Sequence, residues 1–285
     1  MALLAPAKIN LALHVTGRRA DGYHLLDSIV VFADVGDRVA LAPADRLTLE
    51  LSGRFAGHAP GDATDLAWRA AEAFYAHAGM RPGVAIRIEK AIPAGAGLGG
   101  GSADAAAVLT GLNRLHEAAL SRQELAAIGL KLGADVPMCV AGTALRARGI
   151  GEDLDPVRGW ASLPLVLVWP GCAVSTPAAF AGLTRRDNSG LPDLFDMRTA
   201  RQMAEWLQTC RNDLEGPALR IAPEIGDALD ELRATPGCLL ARMSGSGSGC
   251  FALYSEPAEA ERAASALRQA RPAWWVSATL AGSPP

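Results

Sequence analysis

Apolar and polar residues alternate along the first part of the chain, which is typical of β-strands. In residues 7–15, alanine, isoleucine, leucine and valine fall on one face, whereas Lys8, Asn10 and His14 fall on the other. Because successive side chains of a strand point to opposite faces, this segment predicts a half-buried strand whose polar face carries a lysine and an asparagine. Similar patterns predict further strands at residues 28–33, 38–42, 46–51 and 84–89.

Helical patterns occur between and after these strands. Residues 66–77 are rich in helix formers. Further along, Ser102 is a suitable N-cap for a helix with an apolar stripe, and Asp104 suits its first turn. Ser121 and Glu124 then form a capping-box pattern, which predicts that another helix follows.

The second half of the chain predicts a separate domain. Residues 146–160 are rich in glycine and charge and weakly periodic, so we place a boundary there, with domains at 1–150 and 151–285. Residues 182–198 predict a long loop. The other predicted elements are strand 163–169, helices 200–210 and 213–233, the second interrupted at Pro223, strands 239–243 and 250–254, helix 257–270 and strand 273–279. The expected fold class is α+β in two domains.

Composition and charge narrow the class of protein without changing this layout. The 285 residues are half apolar and one fifth charged, and the net charge of −3 lacks the basic excess typical of nucleic-acid-binding proteins. No apolar run is long enough to span a bilayer, and the first residues do not resemble a signal peptide. We therefore expect a cytoplasmic protein that binds neither nucleic acid nor a membrane.

Residues 93–102, Pro-Ala-Gly-Ala-Gly-Leu-Gly-Gly-Gly-Ser, carry the strongest chemical signal in the sequence. Glycines allow backbone N–H groups to approach a ligand closely and to adopt positive φ angles. The N-terminus of the helix that follows adds unpaired N–H donors and a partial positive charge. Since five glycines in seven positions are more than a tight turn needs, the segment predicts a phosphate-binding loop.

Two other kinds of nucleotide-binding loop fit this segment poorly. Gly95, Gly97 and Gly100 match the G-x-G-x-x-G pattern of dinucleotide-binding folds, and Glu117 lies at about the right distance for the acidic residue that binds the ribose. That acidic residue should end a second parallel strand, whereas Glu117 lies between two predicted helices. The Walker P-loop is excluded because the chain contains no G-K-[ST] sequence.

The glycine loop and four other blocks resemble the GHMP kinase family. Residues 93–104 are similar to the family's phosphate loop. The other blocks are Ala5-Pro-Ala-Lys-Ile-Asn-Leu11, Arg19-Ala-Asp-Gly-Tyr-His24, Gly133-Ala-Asp-Val-Pro137 and Met243-Ser-Gly-Ser-Gly-Ser248. They occur in the family's order and span nearly the whole chain.

This resemblance implies a fold and an activity. The fold would have an N-terminal domain with the phosphate loop and a C-terminal ferredoxin-like domain, with the active site in the cleft between them. The activity would be that of an ATP-dependent small-molecule kinase. The blocks are most similar to those of members whose acceptor carries a cytidine diphosphate group, in the non-mevalonate route to isoprenoid precursors.

The resemblance assigns the catalytic pair to Asp135 and Lys8. Asp135 matches the family's catalytic aspartate, so we expect it to accept the proton of the acceptor hydroxyl. Lys8 matches the catalytic lysine, which would keep the carboxylate ionised and offset charge on the transferred group. Asn10, on the same strand face, is expected to bind the substrate or Asp135. Without the resemblance, a surface aspartate and a solvated strand lysine would be the favoured interpretations.

Three ring-bearing residues fit recognition of the acceptor. Tyr23 and His24 match positions that the family uses for cytosine. Their side chains suit this role, since an aromatic ring can stack on a base and an imidazole can bind its edge. Phe180 resembles the aromatic residue that closes the other side of the base. A core aromatic residue and a turn histidine are the alternative interpretations of Phe180 and His24.

The resemblance also places ATP along the glycine loop. Leu66 and Lys90 are expected near the adenine. The other expected contacts are Pro93, Ala94, Gly95, Ala96, Gly97, Leu98, Gly99, Gly100, Gly101, Ser102 and Ala103. Asp65 stands where many relatives have an asparagine and therefore lacks an amide donor for the adenine. Ala103 and Gly249 also depart from the usual pattern.

Mg²⁺ is expected together with ATP, because phosphoryl transfer needs a cation that bridges the β- and γ-phosphates. The sequence shows no acidic cluster with metal-ligand spacing, so we expect phosphates and water to hold the ion. Two other functions stay open: a GHMP kinase that acts on homoserine, mevalonate or a sugar, and a nucleotide-binding module without turnover. The chain is expected to be a monomer or a homodimer.

Overall fold

The computed structural model describes residues 1–282. The strands in that range are β1 (Ala2–Arg18), β2 (His24–Pro43), β3 (Thr48–Ser52), β4 (Val84–Glu89), β5 (Leu145–Gly149), β6 (Asp153–Pro156), β7 (Leu163–Trp169), β8 (Leu240–Met243), β9 (Cys250–Leu253) and β10 (Trp275–Ala281). The helices are α1 (Leu66–Ala78), α2 (Gly100–Leu115), α3 (Arg122–Leu130), α4 (Val136–Ala141), α5 (Thr176–Ala181), α6 (Ala200–Gln208), α7 (Glu215–Ile221), α8 (Glu224–Ala234) and α9 (Pro257–Ala270). No helix among the described residues has the length and apolar character needed to cross a membrane.

The chain forms two compact units whose segments interleave along the sequence. The first unit comprises Met1–Lys8, Val35–Ala94 and Gly99–Gly142. The second comprises Ile9–Asp34, Gly95–Leu98 and Thr143–Pro285. The domain boundary that we expect at residue 150 stays a prediction.

In the first unit, strands and helices enclose an apolar core. Strand β4 pairs in parallel with β3 and antiparallel with the second half of β2, where Arg38 lies opposite Glu89. Helix α1 is capped by Asp65, whose carboxylate accepts the N–H of Ala67 at 2.9 Å, and ends at Gly79 in the left-handed conformation. Buried side chains of this core include Phe74, Tyr75, Ile86, Ile88, Val108 and Leu109.

The second unit contains an antiparallel sheet with the strand order β10-β7-β9-β8. Helices lie between β7 and β8, and α9 connects β9 to β10, which gives the βαββαβ succession of a ferredoxin-like fold. Val166 and Val168 of β7 share one apolar cluster with Leu229 and Leu232 of α8 and with Leu267 of α9. This topology confirms the ferredoxin-like domain expected near the C-terminus.

The weakly periodic segment before β7 contains a hairpin that the pattern does not reveal. Strand β5 pairs antiparallel with β2, and β6 pairs antiparallel with β5. Arg146 and Arg148 of β5 form ion pairs with Asp27 and Asp155. Apolar and polar residues do alternate in β5, where Leu145 and Ala147 are buried, but strands of five and four residues are too short for the alternation to stand out in the sequence.

Strand β1 is buried on both faces, so the prediction of a half-buried strand is wrong. Lys8, Asn10 and His14 are only 5%, 4% and 1% exposed. The ring of His14 is bound on both sides, since Nδ1 lies 2.9 Å from the carbonyl oxygen of Ser189 and Nε2 accepts the N–H of Arg211 at 2.9 Å. Alternation distinguishes the two faces of a strand but does not say what covers the polar one.

Helix α2 starts earlier than the sequence suggests. Its N-cap is Gly99, which has a φ of 69°, so the prediction of Ser102 as the N-cap is wrong. Ser102 lies within the first turn, and Asp104 lies in the second turn, where it is buried. Glycine adopts the left-handed conformation without steric cost, which allows the glycine loop to lead directly into the helix.

Candidate active site

The glycine loop between β4 and α2 has the backbone conformation of an anion-binding segment. Gly95, Gly97 and Gly99 have φ angles of 76°, 73° and 69°, which other residues rarely adopt. No side chain among the described residues caps α2 at Gly99. The first N–H groups of a helix have no acceptor within the helix, so this end retains donors and a partial positive charge. The loop can therefore accept phosphate oxygens.

A second glycine-rich segment, residues 244–249, packs against the middle of this loop. The N–H of Gly249 donates to the carbonyl oxygen of Ala96 at 2.7 Å. A Cβ atom on Gly97 would lie 2.7 Å from the nitrogen of Gly247, and one on Gly249 would lie 2.5 Å from the carbonyl oxygen of Ala96. The two backbones are thus too close for side chains at these positions. This contact explains why glycine suits position 249, which the sequence alone presents only as a departure from the family.

Lys8 and Asp135 form an ion pair in the first unit. The Nζ atom of Lys8 lies 2.8 Å from Oδ2 of Asp135. Asp135 occupies the N-cap position of α4, and its side chain is 40% exposed, whereas that of Lys8 is 6% exposed. A Cβ atom on Gly99 would lie 3.0 Å from Cβ of Lys8, so the stem of the lysine passes directly over the end of the glycine loop. A carboxylate that solvent can reach and an ammonium group thus lie beside the candidate phosphate site.

Asn10 is held by the second unit in a position to accept a hydrogen bond. Its side-chain nitrogen donates to the hydroxyl of Ser28 at 2.8 Å, and its backbone N–H donates to the hydroxyl of Ser244 at 3.1 Å. Its Oδ1 atom is buried and has no hydrogen-bond partner within residues 1–282. Buried polar atoms normally have partners, so this oxygen, which lies close to Gly245, is an unsatisfied acceptor.

Of the three predicted recognition residues, His24 and Phe180 contact each other. Their ring centroids are 4.7 Å apart, and the ring planes differ by 20°. The Nε2 atom of His24 is buried without a hydrogen-bond partner in the described part of the chain. The side chain of Tyr23 is instead exposed. The second unit thus contains a stacked ring pair with an unused polar edge.

Two arginines that the sequence analysis does not single out act on this ring pair. Burial lowers the pKa of His24 below its ordinary value, and the positive charges of Arg18 and Arg186 lower it further. The Nε atom of Arg186 is buried, and no acceptor for it occurs in residues 1–282. This arrangement suits a ligand in which an uncharged base is joined to an anionic group, because the neutral imidazole can bind the base and the two arginines can bind the anion. No motif marks these arginines; only the fold brings their charge to His24.

Two residues predicted for the adenine end, Leu66 and Lys90, have different surroundings. A Cβ atom on Gly101 would lie 3.6 Å from Leu66 Cδ1, so this leucine covers the first turn of α2. The ammonium group of Lys90 is instead bound by the buried carboxylates of Asp37 and Asp104. Asp65 uses its carboxylate to cap α1. The ATP contacts of these residues stay predictions.

Comparisons with known proteins agree with this geometry. A family model described as GHMP kinases N terminal domain matches residues 65–143, and one described as GHMP kinases C terminal matches residues 191–273. A protein of Dinoroseobacter shibae named 4-diphosphocytidyl-2-C-methyl-D-erythritol kinase is 52% identical over 97% of this chain and 93% of its own length. A protein of the same name from Mesorhizobium japonicum is 50% identical over 96% and 94% of the two chains.

Solved structures give the same result. A crystal structure of 4-(cytidine 5'-diphospho)-2C-methyl-D-erythritol kinase matches with a TM-score of 0.82, 38% identity and full coverage of both chains. The mevalonate kinase of Methanococcus jannaschii matches with a TM-score of 0.73 at 12% identity, which shows a shared fold alone. The chain therefore belongs to the GHMP kinase family, among its 4-diphosphocytidyl-2-C-methyl-D-erythritol kinases, and is an ATP-dependent small-molecule kinase.

Proposed function

We propose that this kinase transfers the γ-phosphoryl group of ATP to the 2-hydroxyl of 4-diphosphocytidyl-2-C-methyl-D-erythritol, a step of non-mevalonate isoprenoid precursor synthesis. The observation that carries the proposal is the Lys8–Asp135 ion pair of 2.8 Å beside Gly99 of the glycine loop. The name shared by relatives of about half-identical sequence supports the choice of acceptor.

In the proposed reaction Asp135 is the base. Its exposed carboxylate accepts the proton of the acceptor hydroxyl while that oxygen forms a bond to the γ-phosphorus. The bond from the γ-phosphorus to the bridging oxygen breaks, and ADP leaves with that electron pair. The ammonium group of Lys8 holds the carboxylate of Asp135 through the 2.8 Å ion pair and offsets negative charge on the transferred group.

ATP binds along residues 93–103 in this proposal, with Leu66 and Lys90 towards the adenine. The positive φ angles of the loop and the uncapped start of α2 support this placement, because they leave backbone N–H groups available to phosphate oxygens. Within residues 1–282, no three His, Cys, Asp or Glu side chains are grouped as metal ligands. Mg²⁺ would thus be held by phosphates and water with the hydroxyl of Ser102, and would supply charge neutralisation.

The acceptor binds to residues of the second unit. Cytosine stacks on Tyr23 and Phe180, and His24 binds its edge through the unused Nε2 atom. Since His24 already stacks on Phe180 at 4.7 Å, the base lies beside this pair and not between the two rings. Arg18 and Arg186 face the diphosphate, and the free Oδ1 atom of Asn10 accepts a hydroxyl of the erythritol.

A competition experiment tests this proposal. The enzyme is incubated with ATP, Mg²⁺ and equimolar 4-diphosphocytidyl-2-C-methyl-D-erythritol, homoserine and mevalonate, and products are identified by mass spectrometry. We expect a gain of one phosphoryl group on the cytidylyl compound alone. Phosphorylation of another acceptor would reject the roles of Tyr23, His24 and Phe180 but retain the kinase. Absence of every product, with ATP bound, would indicate a nucleotide-binding module.

A further inference from the structure

A buried ionic network lies beside the glycine loop but is not part of the proposed reaction. The Nζ atom of Lys90 lies 2.5 Å from Oδ2 of Asp104 and also donates to Oδ2 of Asp37. The side chains of Lys90, Asp37 and Asp104 are 4%, 0% and 4% exposed. We call these three residues the buried triad. Substrates cannot reach it without rearrangement of the fold.

The buried triad connects the two stems of the glycine loop, which are residues 90–92 and 99–104. Lys90 begins the first stem, and Asp104 ends the second. The Oδ1 atom of Asp37 accepts the N–H groups of Ala91 and Ile92 at 2.6 and 2.8 Å. Both ends of the loop are therefore tied to one carboxylate pair on β2 and α2.

Asp37 also lies against the second stem. A Cβ atom on Gly100 would lie 3.4 Å from Oδ2 of Asp37 and 3.5 Å from Cγ2 of Ile92. Gly100 is the first residue of α2, and its N–H is one of the donors that we assign to phosphate. Asp37 thus holds the first stem by hydrogen bonds and also lies next to the start of the second.

The composition of the buried triad argues against a purely stabilising role. Removing ionisable groups from water is costly, and well-packed apolar side chains of similar volume often stabilise a protein as well or better. Ionic hydrogen bonds, however, fix distances and directions more tightly than apolar contacts. Phosphoryl-transfer sites depend on such preorganisation, since small displacements of binding groups cost much of their effect.

We infer that Asp37, Lys90 and Asp104 are positioning residues, which fix the spacing of the two loop stems and thereby the affinity of the loop for the phosphates of ATP. The inference rests on the proposed placement of ATP along residues 93–103. It assigns the ammonium group of Lys90 to the loop stems, which leaves the proposed adenine contact of this residue to its other atoms. Acceptor binding, which we assign to residues of the second unit, does not involve the buried triad.

Calorimetric titrations with AMP-PNP and with adenosine test this inference without any acceptor. Asp104→Ala removes the tie to Lys90, so we expect AMP-PNP to bind on the order of tenfold more weakly, while adenosine affinity changes by less than about twofold. Asp104→Asn keeps an oxygen that can accept from Lys90, and we expect it to restore AMP-PNP affinity. Arg87→Met is the matched control, because Arg87 lies on β4 and forms an exposed ion pair with Glu50.

Each outcome decides the inference. Wild-type AMP-PNP affinity in Asp104→Ala, or an equal loss for both ligands, would overturn it. If Asp104→Ala does not fold, Asp104→Leu replaces it, because an apolar side chain of similar volume leaves Lys90 and Asp37 as a neutral pair. Steady-state kinetics with the proposed acceptor should show a raised KM for ATP and an unchanged KM for the acceptor. If the wild type binds AMP-PNP but phosphorylates no offered acceptor, the proposed function fails while the titrations still decide the inference.

Discussion

Lys8 and Lys90 are almost equally buried lysines of the first unit, but they meet their carboxylates in different surroundings. Lys8 has one carboxylate partner in the described chain, Asp135, whose side chain is 40% exposed. Lys90 has two, Asp37 and Asp104, which are 0% and 4% exposed. The first pair is open to a ligand on the carboxylate side, whereas the second group of charges is closed by protein on every side.

This difference separates two uses of an ion pair. An exposed carboxylate can exchange water for a substrate hydroxyl and transfer a proton, because it is accessible and its partner holds it in place. A closed group of charges cannot contact a substrate, and removal of one member leaves the others desolvated and unpaired. We therefore expect substitutions at the open pair to affect turnover, and substitutions in the buried triad to affect stability and loop geometry.

The largest expected effect is the loss of turnover when Asp135 is replaced in the Lys8–Asp135 pair, which we call the open pair. In Asp135→Asn we expect kcat to fall by about 10³-fold, because the amide cannot accept the hydroxyl proton. The binding of AMP-PNP and the melting temperature should stay close to wild type. Stopped assays for ADP release measure kcat, and calorimetry measures binding. Near-normal turnover of this variant would remove Asp135 from the proposed reaction.

The next largest effect compares Lys90→Met with Lys8→Met. Lys90→Met leaves Asp37 buried without its counter-charge and Asp104 buried without its hydrogen-bond donor, so the free energy of unfolding should fall by about 3–5 kcal/mol. Lys8→Met leaves a carboxylate that water can solvate, and the loss should be about 1 kcal/mol or less. Urea denaturation at constant pH measures both. Equal losses would contradict the distinction between an open and a closed ionic group.

A third prediction concerns the pH dependence of stability. The pKa of Asp104 is raised from 3.8 to about 7, mainly by burial. The positive charge of Lys90 lowers this pKa, whereas the negative charge of Asp37 raises it further. The folded protein therefore holds a proton on Asp104 that the unfolded chain releases between pH 4 and 7. The stability contributed by this carboxyl group is complete below pH 4 and is lost as the pH rises to about 7.

Asp104→Asn removes this pH dependence, because its amide does not titrate. Relative to wild type, the variant should gain roughly 2 kcal/mol of unfolding free energy between pH 5 and 8. Urea midpoints of both proteins across this range give the difference. Asp135→Asn is the comparison from the open pair. A difference between Asp104→Asn and wild type that does not change with pH would contradict the assignment.

The smallest expected effect is that of replacing Asp65, whose carboxylate accepts hydrogen bonds from backbone N–H groups. Asp65 caps α1 by accepting the N–H of Ala67 at 2.9 Å, and its second oxygen lies 3.4 Å from the nitrogen of Gly61. Asparagine and aspartate are equally good N-caps, so Asp65→Asn should change the unfolding free energy by less than about 0.5 kcal/mol. We also expect the KM for ATP to stay within about twofold. A tenfold lower KM would show that an amide here contacts the nucleotide.

Much of the fold follows from local patterns in the sequence. The predicted strand at 163–169 and the helix at 257–270 have the bounds of β7 and α9. The capping box of Ser121 and Glu124 is present at the start of α3, with hydrogen bonds in both directions. These features depend on residues close in sequence, such as side chains that cap their own helix or alternate along one strand. The same logic fails for Ser102, because the glycine before it already starts the helix.

The candidate site was only partly accessible from the sequence. The resemblance to GHMP kinases pointed to Lys8 and Asp135, and the fold brings these residues, 127 positions apart, to 2.8 Å. Neither the charges of Arg18 and Arg186 near His24 nor Asp37 beside Lys90 carried a motif, and Asp104 belongs to the phosphate-loop block without any sign there that it pairs with Lys90. Such groups are assembled by contacts between distant segments, which local spacing does not encode.

By itself, the sequence determined most of the strands and helices and the glycine loop, because periodicity and glycine content act through neighbouring residues. Only the tertiary structure decided which polar side chains became buried and which carboxylates stayed open. Lys8 and Lys90 both belong to or adjoin strands and look alike in the sequence, yet one faces a single exposed partner and the other two enclosed ones. That distinction depends on desolvation, which is a property of everything packed around a charge and not of the residues next to it in the chain.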